Sequence, residues 1–338
     1  MKKLGILLVA TLMLVACNDG KNKSYKPASI GAINTLAVVM DNKLWEGKVG
    51  DKVREHFAAP ILGLIWDEPL FTIEHMPKQV FTGTTRHRRA VLFVALDSTD
   101  MAEVKVDVYA TPQRVGVIQG ETEDELLENL EKSAKKIIAS FKNTEVKEAQ
   151  KRFLRSLSKD QVLETKFGVK LRVPSVYKMG HEGDNFVWID RQIPKGSMNL
   201  IAYEMPAGSF ENDSTLVMDI VKMRDSIGQK HIPGPDIPGK ITYMITEKAF
   251  APYVFSTQLA GRKAIEVRGI WEIHNYPMAG PFVTYIIDDP ENSRKLVMEG
   301  FTFAPATNKR DYMFELEAIL RSTKFLSEME EQEVSLAR

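Results

Sequence analysis

The sequence predicts an α+β fold with two lobes of largely antiparallel sheet and packed helices. Strand-like segments with alternating apolar residues follow one another up to Phe303 with few helices between them. Long runs of strands favour antiparallel sheet over doubly wound parallel sheet. The sequence also shows two blocks that each end in strands followed by an amphipathic helix, and we place the division between the lobes within about 144–168.

The first sixteen residues have the pattern of an export signal, with Lys2 and Lys3 ahead of an apolar stretch. That stretch is too short to cross a bilayer, which takes about 20 apolar residues. It ends in Leu14-Val15-Ala16-Cys17, which resembles the lipobox of bacterial lipoproteins, and Cys17 is the only cysteine. The resemblance implies cleavage before Cys17 and lipid on its thiol, which makes the membrane a partner. A plain secretory signal with a chance cysteine is the alternative.

Residues 17–30 are predicted to be the lipidated cysteine and a flexible tether, because the segment is polar and lacks periodicity. In many lipoproteins an Asp after the cysteine retains the protein at the inner membrane. Asn18 stands there instead, so we expect the outer membrane, facing the periplasm. The chain has 45 basic and 45 acidic residues, which gives no indication of nucleic-acid binding. No second apolar run is long enough for a transmembrane helix.

The N-terminal lobe, residues 31–157, is predicted to start with strands and to end in a long helix. Thr122 and Glu125 form a capping-box pattern, and apolar residues from Leu127 to Phe141 recur at helical spacing. The predicted strands are Ile33 to Met40, Leu70 to Met76, Arg89 to Leu96 and Val104 to Ala110, and the predicted helices are Gly47 to Ala58 and Thr122 to about Lys159.

The C-terminal lobe, residues 158–326, is predicted to begin with a second capping box, formed by Ser158 and Gln161. Gly168 then ends a short helix. A polar tail, residues 327–338, follows this lobe. The predicted strands are Val169 to Val173, Asn185 to Asp190, Asn199 to Glu204 and a series up to Phe303, and the predicted helices are Leu216 to Ile227, capped by Asp213 or Ser214, and Lys309 to Phe325.

One predicted strand, Ala264 to His274, carries four ionisable residues at alternate positions. Alternate side chains of a strand share a face at intervals of about 7 Å. The row could line a polar cleft or bind a charged ligand; an exposed face of opposite-charge pairs is the alternative that we favour. Trp271 would then lie in the core on the opposite face. The four residues are Glu266, Arg268, Glu272 and His274.

The densest basic cluster runs from Arg86 to Arg89. Arg86 and Arg88 could bind an anionic lipid head group or a polysaccharide. The alternative is a solvated segment leading into the apolar strand Ala90 to Leu96, because short charge runs are usually solvated.

Other candidate motifs lack the residues that their chemistry requires. Gly234 to Lys240 looks like a phosphate-binding loop, but Ile241 stands where a hydroxyl is needed, and two prolines remove backbone donors. The six histidines show no zinc-site spacing, and no nucleophile elbow occurs. The sequence therefore predicts no catalytic residue, no metal site and no cofactor.

Several features are spread over the mature chain: the lipobox ending at Cys17, Val38-Val39-Met40-Asp41 with Trp45, Gly269-Ile270-Trp271-Glu272, Gly280-Pro281-Phe282-Val283, Glu299-Gly300-Phe301 and Lys309-Arg310-Asp311-Tyr312. In these features the whole mature chain resembles an uncharacterised lipoprotein family of the Bacteroidota, domain of unknown function 4837. The resemblance implies no activity. We expect a non-enzymatic envelope lipoprotein that binds an unknown envelope protein or ligand; the alternative is an envelope hydrolase or ligand-processing enzyme with its site between the lobes.

Overall fold

The computed structural model describes residues 25–329, which form a five-stranded, an eight-stranded and a two-stranded sheet. The predicted α+β class is confirmed. The signal segment, Cys17 and residues 330–338 lie outside the described residues. Within 25–329, none of the helices has the length and apolar character that spanning a membrane would require.

The N-terminal elements comprise a five-stranded sheet, three α-helices and two 3₁₀ turns. The strands are β1 (Thr35–Val39), β2 (Thr72–Met76), β3 (Ala90–Leu96), β4 (Met101–Val106) and β5 (Arg114–Gly120). The helices are α1 (Asn42–Trp45), α2 (Lys48–Phe57) and α3 (Glu123–Phe153), and the 3₁₀ turns are Lys78–Val80 and Gly83–His87.

The five-stranded sheet departs from the predicted antiparallel pattern. Its order is β2-β1-β3-β5-β4, and only the edge pair β4–β5 is antiparallel. The chain returns from β1 to β2 through α1 and α2, and such crossovers make consecutive strands parallel. β1 and β3 are accordingly buried on both faces, as parallel strands usually are.

Strand β5 does not appear among the predicted strands, although it lies in the sheet between β3 and β4. Its glycines interrupt the run of apolar residues that would predict a strand. Gly116 is required there because a Cβ would approach Ile137 of α3 to 2.8 Å. The predicted strand Val104 to Ala110 ends at Val106, where Asp107 turns the backbone with a φ of 52°. Val106 and Val108, whose alternation suggested that strand, are exposed.

The C-terminal elements comprise the two other sheets, three α-helices and one 3₁₀ turn. The strands are β6 (Val169–Lys170), β7 (Lys178–Gly183), β8 (Phe186–Ile193), β9 (Gly196–Pro206), β10 (Met244–Thr246), β11 (Tyr253–Leu259), β12 (Arg262–Ile273), β13 (Tyr276–Asp289), β14 (Arg294–Phe303) and β15 (Lys324–Phe325). The helices are α4 (Val162–Phe167), α5 (Leu216–His231) and α6 (Arg310–Leu320), and the 3₁₀ turn is Pro290–Asn292.

The eight-stranded sheet is antiparallel throughout, as the sequence predicts for this lobe. Its order is β10-β12-β13-β14-β9-β8-β7, with β11 paired to the other half of the β12 edge. The two faces support separate cores: α6 packs on one through Leu316, and α5 packs on the other through Ile220. Gly300 of β14 allows α6 to approach closely, since a Cβ there would lie 2.8 Å from the Leu316 Cβ.

The predicted helix ends are only partly correct. The Thr122 hydroxyl accepts a hydrogen bond from the Glu125 amide at 3.2 Å, and Gly168 ends α4 with a φ of 63°. The second capping box does not form, because the Ser158 hydroxyl accepts from Asp160 instead and the helix starts only at Val162. Helix α5 begins after Thr215 without a side-chain cap, so neither Asp213 nor Ser214 caps it.

The two lobes meet where α3 crosses α6. Val146 and Ala149 of α3 pack against Phe314 and Ala318 of α6 in a small apolar cluster. The Gln150 side chain donates a hydrogen bond to the Ala318 carbonyl at 3.0 Å. This contact leaves an opening beside it, between the loop that follows α2 and the edge of the large sheet.

Candidate binding cleft between the lobes

A cavity of about 500 Å³ lies between the lobes. It is lined by the loop after α2, by α3, by strands β11 and β12, and by α6. Its size falls within the range of ordinary ligand pockets. Most of the wall is apolar, formed by Pro60, Ile61, Leu62, Leu70, Phe255, Met313 and Phe314.

The mouth of the cleft is apolar as well. Leu62 is 45% exposed and Phe255 is 41% exposed although both line the cavity. Phe255 lies directly opposite Glu266 in the β11–β12 register, so these side chains share the face that borders the cleft. Gly63 brings the mouth loop against β12: its φ is +81°, and a Cβ there would lie 3.0 Å from the Arg268 Cβ.

A network of ion pairs forms the charged end of the cleft. Arg268 donates from Nε to Glu266 at 2.6 Å and from Nη2 to Glu317 at 2.8 Å. The Tyr285 hydroxyl donates to the second oxygen of Glu266 at 3.1 Å. Burial alone would raise the pKa of Glu317, but the charges of Arg268 and Lys142 outweigh it and lower that pKa to about 2. Burial likewise opposes the charged form of Arg268, yet Glu317 and Glu266 raise its pKa.

Lys142 of α3 is the cation of the cleft without a carboxylate partner. Its Nζ donates to the Asn34 side-chain oxygen at 3.3 Å and lies 4.9 Å from the Phe314 ring. Within residues 25–329, no carboxylate oxygen lies within 4.0 Å of this nitrogen. Burial is the main reason that the pKa of Lys142 is lowered to about 8; Glu317 opposes the shift, while Arg268 and Arg310 add to it.

The N-terminus of α6 is fixed by the N-terminal lobe. Glu68 is buried, and its two oxygens accept hydrogen bonds from the backbone amides of Lys309 at 2.6 Å and Arg310 at 2.9 Å. These amides lack intrahelical partners. A negatively charged carboxylate at this position also interacts favourably with the helix dipole. In the sequence, Asp67 and Glu68 precede Pro69, a pattern that is typical of a turn. No local signal could show the cap, because its partner is 241 residues away.

Two of the four residues in the predicted polar row reach the cleft. Glu266 and Arg268 line it, whereas Glu272 and His274 do not. The register shifts between Glu272 and Ile273, and β12 ends at Ile273. His274 therefore lies beyond the strand, with its ring 5.1 Å from that of Tyr243. The four residues of the row therefore do not lie together in the cleft.

The arginines of the basic cluster form contacts within the N-terminal lobe, and none of them lines the cleft. Arg86 donates to the Phe81 carbonyl at 2.9 Å, and Arg88 pairs with Glu74 at 2.6 Å. Its third arginine has a structural role that the sequence did not reveal: Arg89 is buried and pairs with Glu145 of α3 at 2.7 and 2.9 Å.

The described residues bring Glu55, His56 and Glu131 close together, with potential ligand atoms within 4.8 Å of one another. The two carboxylates are exposed. Glu131 already pairs with the Lys52 ammonium at 2.8 Å, and this hydrogen bond lowers the pKa of Glu131. These contacts describe a surface ion-pair cluster.

Two family models match adjacent parts of the chain. Residues 156–322 match "Domain of unknown function (DUF4837)", and residues 29–154 match "Domain of unknown function (DUF8532)". Arg268, Arg310 and Glu317 lie in the first match and Lys142 in the second, so both units contribute to the cleft.

Comparison with solved structures finds a likeness to LpqN, described as involved in cell envelope biogenesis of Mycobacterium tuberculosis. The match has 13% sequence identity and a TM-score of 0.29, and it covers 46% of this chain and 82% of that chain. Comparison with curated proteins finds no significant match. The resemblance to domain of unknown function 4837 is confirmed for residues 156–322, whereas the motif from Val38 to Trp45 lies in the DUF8532 match.

Proposed function

We propose that the protein is a lipid-anchored binding module of the cell envelope that holds a ligand in the cleft between its lobes. The cleft is the observation that carries this proposal. It combines an apolar wall with a small set of charged groups, which is the usual composition of ligand sites. Both lobes line it, so a bound ligand would contact the two units together.

The proposed anchor is lipid on Cys17, followed by a polar tether. The tether is shorter than the sequence predicts, because Ala28 and Ile30 already form bridges with Thr111 and Arg88 of the N-terminal lobe. Each buried methylene contributes roughly 0.8 kcal/mol to membrane binding, and two acyl chains suffice for durable attachment. We place the anchor in the outer membrane, with the lobes in the periplasm, because Asn18 follows the cysteine.

A binding role fits the cleft better than the hydrolase alternative. That alternative needs the row from Glu266 to His274 to converge, and only Glu266 and Arg268 reach the cavity. These two are ion-paired with each other at 2.6 Å. The Glu266 carboxylate accepts hydrogen bonds from Arg268 and from the Tyr285 hydroxyl, so it is well placed to support the shape of the site.

A neutral fluorescent probe tests the cleft. We expect N-phenyl-1-naphthylamine to bind the full chain carrying Cys17→Ser, purified without detergent. Thr257→Trp should abolish this binding by filling the cavity, because Thr257 lines it from the edge strand β11. Gln258→Trp is the matched control, since Gln258 is the exposed neighbour and does not line the cleft. Equal binding by the two variants would contradict the proposed location.

Metabolic labelling tests the anchor. We expect the wild-type chain to incorporate labelled palmitate and to fractionate with membranes in a bacterial host. Cys17→Ala should lose both properties. A soluble, unlabelled wild-type chain would contradict the anchor and would leave the test of the cleft unaffected.

A further inference from the structure

We infer that the cleft binds an amphipathic anion, with its acidic group beside Lys142 and its alkyl chain along the apolar wall towards Leu62 and Phe255. The inference rests on the proposed function, because it names the class of ligand for the same cleft.

The charges of the cleft favour an anion. Glu266 is neutralised by Arg268, and Glu317 is shared between Arg268 and Arg321, at 2.8 and 3.4 Å. Arg310 pairs with the exposed carboxylate of Asp311 at 2.9 Å. Among residues 25–329, the positive charge of Lys142 then remains without a carboxylate partner.

The surroundings of Lys142 compensate its charge only in part. Its ammonium lies 5.5 Å from the Phe71 ring and 4.9 Å from the Phe314 ring, within the range of cation–π contacts, and burial still lowers its pKa to about 8. An ammonium group has three donors, and the one hydrogen bond found here is a long contact to the neutral Asn34 side chain. A carboxylate or phosphate oxygen in the cleft would supply the missing acceptor and compensate the desolvated charge.

The rest of the wall favours an alkyl chain over a sugar or a peptide. The neutral polar side chains among the lining residues are Ser256 and Thr257, against seven apolar residues. A sugar or a peptide would bury many polar groups there, and buried polar groups without partners are costly. The apolar surface continues outward at the mouth through Leu62 and Phe255, so a long chain can extend from the cavity.

The acidic group could belong to a fatty acid or to a lipid phosphate, which share this chemistry. Four twelve-carbon probes separate the possibilities by displacing N-phenyl-1-naphthylamine from the full Cys17→Ser chain at pH 7. They are dodecanoate, dodecyl phosphate, uncharged dodecanol and cationic dodecyltrimethylammonium, all below their aggregation concentrations. We expect at least one anion to displace the probe at tenfold lower concentration than dodecanol, and the cation to be the weakest. The stronger anion identifies the head group.

Lys142→Met should lower the affinity for the favoured anion about tenfold relative to the affinity for dodecanol. Lys135→Met is the matched control, because Lys135 is exposed on the same helix and does not line the cleft. N-phenyl-1-naphthylamine should still bind Lys142→Met, which shows that the variant retains the cleft.

The wild-type chain gives a second readout that needs no variant. Raising the pH from 7 to 9.5 should weaken the binding of dodecanoate and leave dodecanol unchanged, because Lys142 loses its proton in this range. The charged groups that act on Lys142 are Glu317 and Arg310 of α6, Arg268 of β12 and Glu145 of α3. Carboxylates and guanidinium groups keep their charge between these pH values.

The proposed function and the proposed ligand class are contradicted by different outcomes. Probe binding without any preference for an anion, or anion binding that neither Lys142→Met nor high pH weakens, overturns this inference and leaves the proposed function standing. Failure of the wild-type chain to bind either N-phenyl-1-naphthylamine or dodecanoate, measured directly by calorimetry, overturns both.

Discussion

At the residue scale, Glu317 and Lys142 show that the contacts of a buried group determine which of its protonation states is favoured. Both lie in the cleft and both are partly withdrawn from water. Glu317 contacts Arg268, so its charged form is favoured and its pKa falls to about 2. Lys142 has no such contact, so burial disfavours its charged form and its pKa falls to about 8. The carboxylate therefore stabilises the fold when charged, and the ammonium does not.

Glu317→Gln should destabilise the protein by about 2 kcal/mol at pH 7, since the partly buried Arg268 then loses one of its two charged acceptors. The folded-state pKa of Glu317 is about 2, below the ordinary value of 4.5. Its stabilising contribution is therefore complete above pH 4.5 and is lost as the pH falls towards 2. Urea unfolding at pH 7, 4 and 2.5 should show the difference between variant and wild type shrinking.

The control for this prediction is Glu128→Gln, which removes one partner of the exposed pair with Lys132. Exposed pairs contribute about 0–1 kcal/mol, so this variant should remain near wild type. A pH-independent loss in Glu317→Gln would contradict the ionic origin of its effect.

Lys142→Met should make the ligand-free protein more stable at pH 7, because it removes a desolvated charge. The folded-state pKa of about 8 lies below the ordinary 10.5, so the folded state releases its proton first as the pH rises. Wild-type stability should therefore increase between pH 8 and 10.5, and the advantage of the variant should disappear there. Thermal unfolding across pH 7–10 measures this, with Lys135→Met as control; an advantage that stays constant with pH would contradict it.

At the element scale, two pieces of the N-terminal lobe position the cleft. The carboxylate of Glu68 holds the first turn of α6, and the loop carrying Gly63 closes against β12. Each acts on an element that lies far away in the sequence. Changes at either should disturb the cleft without removing any residue that lines it.

Glu68→Gln should cost about 1–2 kcal/mol, because the amide group of Gln can accept with only one oxygen and one of the two α6 amides then loses its partner. The charge that favours the helix dipole is lost as well. Asp67→Asn is the matched control, since the neighbouring Asp67 is exposed. Denaturant midpoints of the two variants give the measurement, and equal midpoints would show that the cap contributes nothing.

Gly63→Ala should be more destabilising than Gly83→Ala, by about 1 kcal/mol or more. Both glycines have positive φ, which penalises alanine at either position. Only Gly63 adds a clash, because a Cβ would come within 3.0 Å of Arg268 and Gly269, while nothing lies within 4 Å of a Cβ at Gly83. Gly63→Ala should also weaken probe binding; similar effects at both positions would mean that backbone strain alone decides.

The sequence predicted elements whose signals are local. The Thr122 cap, the left-handed Gly168 and the alternation of β12 all depend on neighbouring residues, and all are present. Strand β5 was missed because Gly116 serves packing against α3, a contact that its own segment does not reveal.

The cleft is predictable only in part, for the same reason. Alternation placed Glu266 and Arg268 together, but it could not show that β12 ends at Ile273 and that His274 lies beside Tyr243. Lys142 and Glu317 stand among other charged residues of amphipathic helices, and no local feature distinguishes them. Their roles arise where α3 meets α6, which requires knowledge of how the lobes pack.

At the scale of the whole molecule, the lobes have separate cores and a small shared contact. The N-terminal core lies between α3 and the five-stranded sheet, and two further cores cover the faces of the large sheet. The shared cluster consists of Val146, Ala149, Phe314 and Ala318. Each lobe therefore has a core of its own, while the apolar part of their contact consists of few side chains.

Ala318→Glu should uncouple the lobes. Ala318 is fully buried in the shared cluster, and a carboxylate there would be desolvated without a cationic partner in that cluster. We expect one cooperative urea transition for wild type and two for the variant. Tryptophan fluorescence reports on both lobes, since Trp45 and Trp66 lie in one and Trp188 and Trp271 in the other; circular dichroism gives the second probe.

The matched control is Ala139→Glu, the same change at an exposed position of α3, which should keep the single transition. Because both lobes line the cleft, Ala318→Glu should also lose the affinity for N-phenyl-1-naphthylamine. A variant that unfolds in one coincident transition and still binds the probe would show that the cleft does not depend on the α3–α6 contact. Uncoupling with loss of binding would instead mean that a ligand, by contacting both lobes, stabilises their docked arrangement.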